Sequence, residues 1–429
     1  MRSDTWPEVA LARLGRIVTG KTPSTKIAEY FGGSTPFVTP SDMDGRRIIS
    51  STGRYLTERG VESVRNALIP AGSVMVSCIG SDMGKAAIAG RDCITNQQIN
   101  SIVVDPANCA EYVYYDLSSR KPEFQVLAAG GSAQPILNKG HFSQVTLPLP
   151  PLAEQKRIAE VLGPLDDKIE LNRRMNRTLE SIARAIFKSW FVDFDPVRKE
   201  MGEGGTELSP NLAALDPNHE GFAIENAPGC MLTTLGDVAV ASNDLVSPKE
   251  IAPEVVDHYS IPAFDDGQVP SREAGVSIKS SKFAVPRGCV LVSRLNPRIH
   301  RVWLPQLAGE RRGVCSTEFL VLRPKPPMTI EYLYALVSSD QFGDELASRV
   351  TGTSGSHQRV KRLDALSIPA VMPPASTVDA YSDIARPVLR QAGRLREESR
   401  LLAEFRDALL PGLLDGSLPI GPARTRAEN

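Results

Sequence analysis

Two clusters of side chains in this 429-residue chain have the donor and acceptor chemistry that reads the edges of nucleic-acid bases. Asn96, Gln97 and Gln98 follow Thr95 in a row of amides, and an Asn or Gln amide can donate to and accept from adenine at once. Arg294, Asn296, Arg298, His300 and Arg301 form a basic run after an expected strand, with arginine the side chain suited to guanine. A further loop, Ser354-Gly355-Ser356-His357-Gln358-Arg359 followed by Lys361-Arg362, is dense in donors. Lys21, Thr22, Ser24, Arg46 and Arg47 suit phosphate oxygens, which hold a protein on a duplex without reading its sequence. Any one of these residues also suits an ordinary solvated surface. As groups they point to DNA, without assigning a residue to a base.

Other chemistry is suggested less well. Gly15-Arg16-Ile17-Val18-Thr19-Gly20-Lys21-Thr22 fits the G-x-x-x-x-G-K-[ST] spacing of a phosphate-binding loop. That loop needs a buried strand before it and a helix opening at Lys-Thr, whereas Val9 to Leu14 is not a continuous apolar run and Pro23 follows at once. A turn is expected, with Lys21 on a DNA phosphate. Asn296-Pro297-Arg298 and Asp195-Pro196-Val197 lack the second proline and the aromatic that a base-methylating site uses to stack a flipped base, so Asn296-Pro297 is read as a turn. The six cysteines include no C-x-x-C pair, and the five histidines complete no zinc spacing, so no metal site is expected. Net charge is −1, which gives no global basic field. The first residues lack an apolar leader and no stretch reaches the length of a membrane span, so the expected location is cytoplasmic.

What must position these residues is a repeat. Leu14-Gly15 resembles Leu235-Gly236, and Ile69-Pro70-Ala71-Gly72 resembles Val285-Pro286-Arg287-Gly288. Glu111-Tyr112-Val113-Tyr114 resembles Glu331-Tyr332-Leu333-Tyr334, Gly131-Ser132 resembles Gly352-Thr353, and Leu147-Pro148 resembles Ile368-Pro369. The separations are 221, 216, 220, 221 and 221 residues, so the order is kept and one intervening loop differs slightly in length. Each copy reads as an α/β head. Val74–Ser77, 100–104, Val290–Ser293 and 319–322 are expected strands, and 111–119 and 331–339 are expected short helices.

Each head ends in a proline-rich brake, after which the apolar period changes. Ile158, Leu162, Leu165, Ile169, Asn172, Asn176, Leu179, Ala183, Ile186 and Trp190 alternate at four and three residues, a heptad seam. Val378, Tyr381, Ala385, Val388, Ala392, Leu395, Ser399 and Leu402 repeat it. Pro164 and Pro387 are expected to kink their helices. A long amphipathic helix needs a partner for its stripe, and the duplicate is the nearest candidate, in an antiparallel pair related by a two-fold axis. Asn172 and Asn176 either lie buried in that seam and fix its register, or lie in a solvated stretch. Two heads on a rigid spacer suit paired DNA half-sites at a fixed distance.

At this point the chain resembles a family. Pro148-Leu149-Pro150-Pro151-Leu152-Ala153-Glu154-Gln155-Lys156-Arg157-Ile158-Ala159 is similar to the junction after a target recognition domain in type I restriction-modification specificity subunits. Gly20-Lys21-Thr22-Pro23-Ser24, Thr95 to Asn100, Gly131 to Ile136, Ser189 to Pro196 and Leu409 to Gly416 resemble other segments of that family. The second copy departs from it, since Met372-Pro373-Pro374-Ala375-Ser376-Thr377 has no Glu-Gln. The resemblance implies an α+β protein of two pseudo-symmetric target recognition domains joined by two long antiparallel coiled-coil helices. It implies a non-catalytic subunit that binds double-stranded DNA, each head reading one half of a split target, and docks two methyltransferase subunits. Those partners would hold S-adenosylmethionine and methylate adenine. A motor and endonuclease subunit, with room for two, would use ATP and Mg. No cofactor is expected in this chain.

The expected boundaries are a first recognition domain over 1–150, a central helix over 151–194, a linker over 195–231, a second recognition domain over 232–374, a distal helix over 375–412 and a tail over 413–429. Two other readings stay open: a stand-alone DNA-modifying or cleaving enzyme, which would itself bind S-adenosylmethionine or ATP, and a coiled-coil scaffold with no affinity for DNA.

Overall fold

A computed structural model describes residues 6–80, 82–128, 136–192, 229–307, 309–350 and 358–420. Two compact units result, Met1–Leu171 with Leu401–Asn429, and Asn172–Arg400. Each contains one mixed head and parts of two 40-residue helices, the central helix Leu152–Phe191 and the distal helix Ala375–Leu414. The unit boundaries therefore fall inside the helices rather than at their ends.

The first head contains β1 (Glu8–Ala10), β2 (Gly15–Thr19), β3 (Phe31–Val38), β4 (Ile48–Ile49), β5 (Tyr55–Leu56), β6 (Leu68–Ile69), β7 (Val74–Ser77), β8 (Ala86–Ala89), β9 (Cys93–Thr95), β10 (Ile99–Val104) and β11 (Thr146–Pro148). They form sheets of order β2-β10-β7-β8-β4 and β5-β3-β9-β6, with β1 on β11. The second head contains β12 (Met231–Thr234), β13 (Ala239–Ser242), β14 (Leu245–Val246), β15 (Val255–Tyr259), β16 (Ser271–Ala274), β17 (Lys282–Val285), β18 (Val290–Ser293), β19 (Val302–Trp303), β20 (Gly313–Cys315), β21 (Phe319–Pro324) and β22 (Pro369–Met372). Its sheets run β13-β21-β18-β19 and β14-β17-β20-β15-β16, with β12 on β22. The shared frame is the same strand for strand: β2-β10-β7-β8 matches β13-β21-β18-β19, and β5-β3-β9-β6 matches β16-β15-β20-β17. Even the one parallel step in the second sheet recurs, Phe37 beside Ile94 and His258 beside Val314.

Local chemistry explains the frame. Val74-Met75-Val76-Ser77 is buried at every residue because β7 is covered by strands on both edges and packed on both faces, which is why it lacks a polar alternation. It is launched by a Pro-x-Gly turn whose Gly72 takes φ +82°, and β18 is launched the same way by Gly288 at φ +68°. The expected strands and short helices are all present, at 99–104, 319–324, 110–119 and 330–337.

Two of the five matches that revealed the repeat pair residues that are not equivalent. Leu11 N–H donates to Val145 O, and Leu235 N–H donates to Ile368 O, so Leu235 corresponds to Leu11 rather than Leu14. Likewise Tyr112 O–H donates to Pro148 O and Tyr332 O–H to Val371 O, so Pro148 and Pro369 do not correspond. Leu-Gly and Leu-Pro are common enough pairs to align by composition. Gly131-Ser132 and Gly352-Thr353 lie outside the described residues.

The helices run antiparallel in both units. In the first unit Ile158 and Leu162 share a core with Leu410, Leu413 and Leu414; in the second Phe187 and Phe191 share one with Val378, Tyr381 and Ala385. The expected seam is the buried stripe. Ile158, Leu162, Ile169, Asn172, Asn176, Ala183, Ala392 and Leu395 are buried, while Leu165, Leu179, Ile186, Val388 and Leu402 are half-buried. Toward the end of the central helix the stripe moves to Phe187 and Phe191, four residues apart, to meet Tyr332 and Tyr381 at 5–6 Å between ring centres. Asn172 lies fully buried and its Nδ2 donates to Glu398 Oε2 at 2.9 Å, which settles its place in the seam. Pro164 and Pro387 are both contained within unbroken helices. Cys78, Cys93, Cys109, Cys289 and Cys315 are buried free thiols. Burial pushes the Cys78 thiol up to about 11 and the Cys289 thiol up to about 12, far from thiolate chemistry.

Candidate nucleic-acid interface

In the first head the two polar segments singled out above converge. Lys21 N–H donates to Thr95 O at 2.8 Å, and Thr22 Oγ1 donates to Gln97 Oε1 at 2.6 Å across 75 residues of sequence. Gly20 makes this possible: a Cβ there would lie 2.0 Å from Asn96 O. The amide row is stiffened from within. Asn96 Oδ1 accepts from Gln98 N–H at 3.1 Å, and Asn96 Nδ2 donates to Gln98 Oε1 at 2.9 Å. Asn96 is thereby buried and serves as the brace, while Gln97, Lys21 and Ser24 are exposed and Gln98 and Thr22 half-exposed. In the sequence Asn100 has a place in a strand but no role of its own. It is buried, accepts from Thr19 Oγ1 at 2.7 Å and donates to Leu137 O at 3.0 Å, tying the 136–138 segment to the same end of the sheet. A buried amide that spends one end on a hydroxyl 81 residues away and the other on a backbone carbonyl 37 residues away is invisible to local pattern.

Gly15 to Thr22 is not a phosphate cradle. Gly15–Thr19 is strand β2, its backbone committed to Asn100–Val104, and a Cβ on Gly15 would meet Val103 O at 2.1 Å. The glycine permits close strand approach rather than a nest of free N–H groups. Arg46 and Arg47 lie elsewhere in the first unit. Arg46 pairs with Asp44 at 2.8 Å, and Arg47 reaches Asp167 of the central helix at 2.5 Å. The Arg47 guanidinium keeps a pKa above its ordinary value: burial works against the charge, and Tyr115, Asp167 and Asp166 outweigh it.

The second head arranges its basic run differently. Arg294 donates to Thr317 O at 2.8 Å, and Arg359 makes a two-pronged pair with Glu318 at 2.8 and 2.9 Å. Asn296 N–H donates to Gln358 O, which brings the 294–301 and 358–362 segments together. Arg298 is exposed at the tip of this loop. Arg301 and His300 point inward instead. Arg301 is 8% exposed and grips Asp265 with Nε and Nη2 at 2.7 and 2.8 Å. His300 Nε2–H donates to Val337 O at 2.8 Å over Gly343, whose missing side chain leaves room for the ring. Burial lowers the His300 pKa, so the ring is neutral at pH 7. These two are frame contacts of the loop, not side chains offered to solvent. Their partners Asp265 and Val337 are 36 and 37 residues away, which is why the run looked uniformly available in the sequence. Ser356 and His357 lie outside the described residues.

The two loops are built on one plan. Cys78 N–H donates to Gln98 O and Leu137 N–H to Cys78 O; Arg294 N–H donates to Glu318 O and Val360 N–H to Arg294 O. Ile79 bridges Ile136, and Leu295 bridges Arg359. Gly80 and Asn296, next in each chain, both have positive φ, +78° and +47°. The frame is held by backbone, so its side chains are free to differ.

Comparison with known proteins agrees with this arrangement. A profile described as the type I restriction modification DNA specificity domain matches residues 3–181. The MjaIX type I restriction enzyme specificity subunit of Methanocaldococcus jannaschii is 26% identical over 437 residues, covering 97% of this chain and 94% of that protein. The HindI specificity subunit of Haemophilus influenzae is 36% identical over 147 residues, 34% of this chain and 32% of that one. The crystal structure of a type I restriction-modification S subunit from M. genitalium shares the fold, with a TM-score of 0.55 at 12% identity over 96% of this chain and 97% of that one.

Proposed function

We propose that this chain is a specificity subunit of the type I restriction-modification kind, which its likeness to such subunits along its whole length supports, and that each head reads one half of a bipartite DNA target through the loop cluster at its sheet end. The observation that carries the proposal is the contact of Thr22 with Gln97, which unites two distant polar segments into one exposed surface while Asn96 braces it from beneath. Gln97, Lys21 and Ser24 in the first head, and Arg298, Arg359 and Lys361 in the second, are exposed polar side chains of these loops. Methylation and cleavage belong to separate partner subunits. The central and distal helices set the spacing of the half-sites and dock two methyltransferase subunits. Exposed apolar side chains along them support docking: Val161, Leu171, Leu401 and Phe405 in the first unit, Met175, Ile182 and Ile384 in the second. No described helix is long and apolar enough to cross a membrane.

The test is an exchange of the first head, residues 1–150, for that of another specificity subunit, read by methylome sequencing in cells that supply the cognate methyltransferase. One half of the methylated sequence changes and the other half stays. A change in both halves would refute independent reading. Within one head, Gln97→Ala is expected to relax one position of one half-site and to cost about 10- to 100-fold in affinity, as for loss of a two-pronged base contact.

A further inference from the structure

The second unit holds a cavity of about 380 Å³ between the head and the distal helix, a volume in the range of small-molecule sites. Six arginines line it: Arg272, Arg311, Arg390, Arg394, Arg396 and Arg400. Only two carboxylates do, Asp257 and Glu397. Asp257 takes Arg311 at 3.2 Å, Glu397 takes Arg400 at 2.5 Å and lies 3.8 Å from Arg272, and Arg396 pairs with Glu180 of the central helix. Among the described residues Arg390 and Arg394 have neither hydrogen bond nor ion pair. They stand four residues apart on one helix, a like-charge spacing that costs stability unless an anion joins them. Gly393 sits between them because a Cβ there would come within 2.9 Å of Gln306 Cδ, so the head reaches the helix at that point.

Two further observations point to a ligand. Tyr259 is 1% exposed, lines the cavity, and its hydroxyl has no hydrogen-bond partner. An unpaired buried hydroxyl is costly and calls for an acceptor. Burial pushes the phenol pKa up, so the hydroxyl stays protonated and keeps its proton to donate. Gln268, also in the lining, holds a left-handed backbone at φ +59°, strain of the kind that clusters where ligands are clamped. The remaining wall is apolar, with Val269, Pro270, Leu304 and Leu307 half-buried.

We propose that this cavity binds a phosphate-bearing anion of nucleotide size, its phosphates held by Arg390, Arg394 and the Tyr259 hydroxyl and its organic part against the apolar wall. Arginine forks match phosphate oxygens, and Arg390 and Arg394, the two lining guanidiniums that meet no carboxylate, are the ones a ligand would neutralise. The site lies apart from the loops assigned to base reading and does not depend on that assignment.

The experiment is calorimetric titration of the full chain with pyrophosphate and with adenosine diphosphate, repeated on Arg390→Ala/Arg394→Ala and on Tyr259→Phe, with circular dichroism to establish that each variant is folded. Wild type is expected to bind saturably, the double arginine variant at least about 10-fold more weakly and Tyr259→Phe about threefold to tenfold more weakly. Adding Arg394→Lys should retain part of the affinity that Arg394→Ala loses. Absence of saturable pyrophosphate binding, or unchanged affinity in either variant, overturns the proposal. So does loss of duplex affinity in the double variant with no pyrophosphate binding, which would place these arginines on a DNA backbone instead.

Discussion

The two heads share a strand order and differ in how each is fastened to its long helix. In the first, Gln155 of the Pro-Pro-Leu-Ala-Glu-Gln junction is 1% exposed, accepts from Cys109 N–H at 2.8 Å and donates to Pro150 O at 2.8 Å. Cys109 is the residue before the Ala110–Ser119 helix and offers no side-chain cap, so a distant glutamine supplies the acceptor. In the second, the matching position is Val378, and the helix Ile330–Val337 is capped by its own Thr329, whose hydroxyl is 2.6 Å from Ser382 Oγ, which donates to Val378 O. The second copy starts its helix differently: Thr329 Oγ1 accepts from Tyr332 N–H, so the cap is local and no distant glutamine is used. A family motif can therefore mark a solution to a capping problem, and its absence from one copy need not mean a different fold.

The largest test of this difference concerns the ion pairs at the joins. Asp166 of the central helix is buried, accepts from Tyr115 O–H at 2.9 Å and pairs with Arg406 of the distal helix at 2.6 Å. Arg406→Ala leaves a buried carboxylate half-answered and is expected to cost about 3–5 kcal/mol. At the other join Arg386 meets Glu331 at 2.8 Å, but the Arg386 side chain is 39% exposed and water can replace it, so Arg386→Ala should cost about 1 kcal/mol. Hydrogen exchange read by mass spectrometry would locate each loss, in Ala110–Ser119 for the first and Ile330–Val337 for the second. Equal losses would erase the distinction.

Next is a pH term that only one head carries. Burial pushes the Asp116 carboxyl up to about 6, against the opposing pull of Arg120. The corresponding residue of the second head is Leu336. A carboxyl whose folded pKa exceeds its unfolded one favours folding while protonated. Its contribution is complete below about pH 4 and is lost as pH rises through about 6, a fall of about 3 kcal/mol. Asp116→Leu should flatten the dependence of Tm on pH between 4 and 7 and raise stability at pH 7. A slope unchanged by the substitution would show that another group carries it.

Third, Gln155→Leu removes both bonds of the junction and strands Cys109 N–H, at about 2 kcal/mol. Thr329→Val, which strips the local cap, should cost about 1 kcal/mol. Urea denaturation of both variants checks the order, and the reverse order would mean that the glutamine fills space rather than bonding.

How much of this was legible beforehand depends on range. Apolar period is a local signal, so Val74–Ser77, Val290–Ser293 and the seam from Ile158 to Trp190 were readable to within a residue or two. The repeat was readable as well, yet two of its matches paired the wrong residues because Leu-Gly and Leu-Pro recur by composition; only hydrogen bonds such as Leu11 to Val145 and Leu235 to Ile368 fix equivalence. The amide row and the Lys21 turn were found as polar clusters, and their meeting through Thr22 and Gln97 was not readable, since 75 residues separate them. Arg301 and Arg359 looked alike in the sequence. Asp265 buries one in the frame and Glu318 holds the other at the surface, and no local pattern tells which carboxylate arrives.

The smallest effect lies at the loop tips, where the two heads solve one backbone problem with different residues. Gly80 and Asn296 follow equivalent bridges and both take positive φ, +78° and +47°. Glycine enters that region without a Cβ clash, and asparagine is the side chain that tolerates it next best. Gly80→Ala should therefore cost about 1 kcal/mol, because alanine brings the Cβ and nothing to offset it. Asn296→Gly relieves strain and removes a buried Oδ1 that has no partner, but it also frees the unfolded chain, so the net change should stay within about 0.5 kcal/mol. Gly80→Asn should fall between the two. If Asn296→Gly instead costs as much as Gly80→Ala, the asparagine side chain holds the Asn296–Gln358 turn by a contact of its own, and the equivalence of the two tips is one of backbone shape alone. Thermal unfolding of the three variants, with duplex binding measured on each, separates these outcomes.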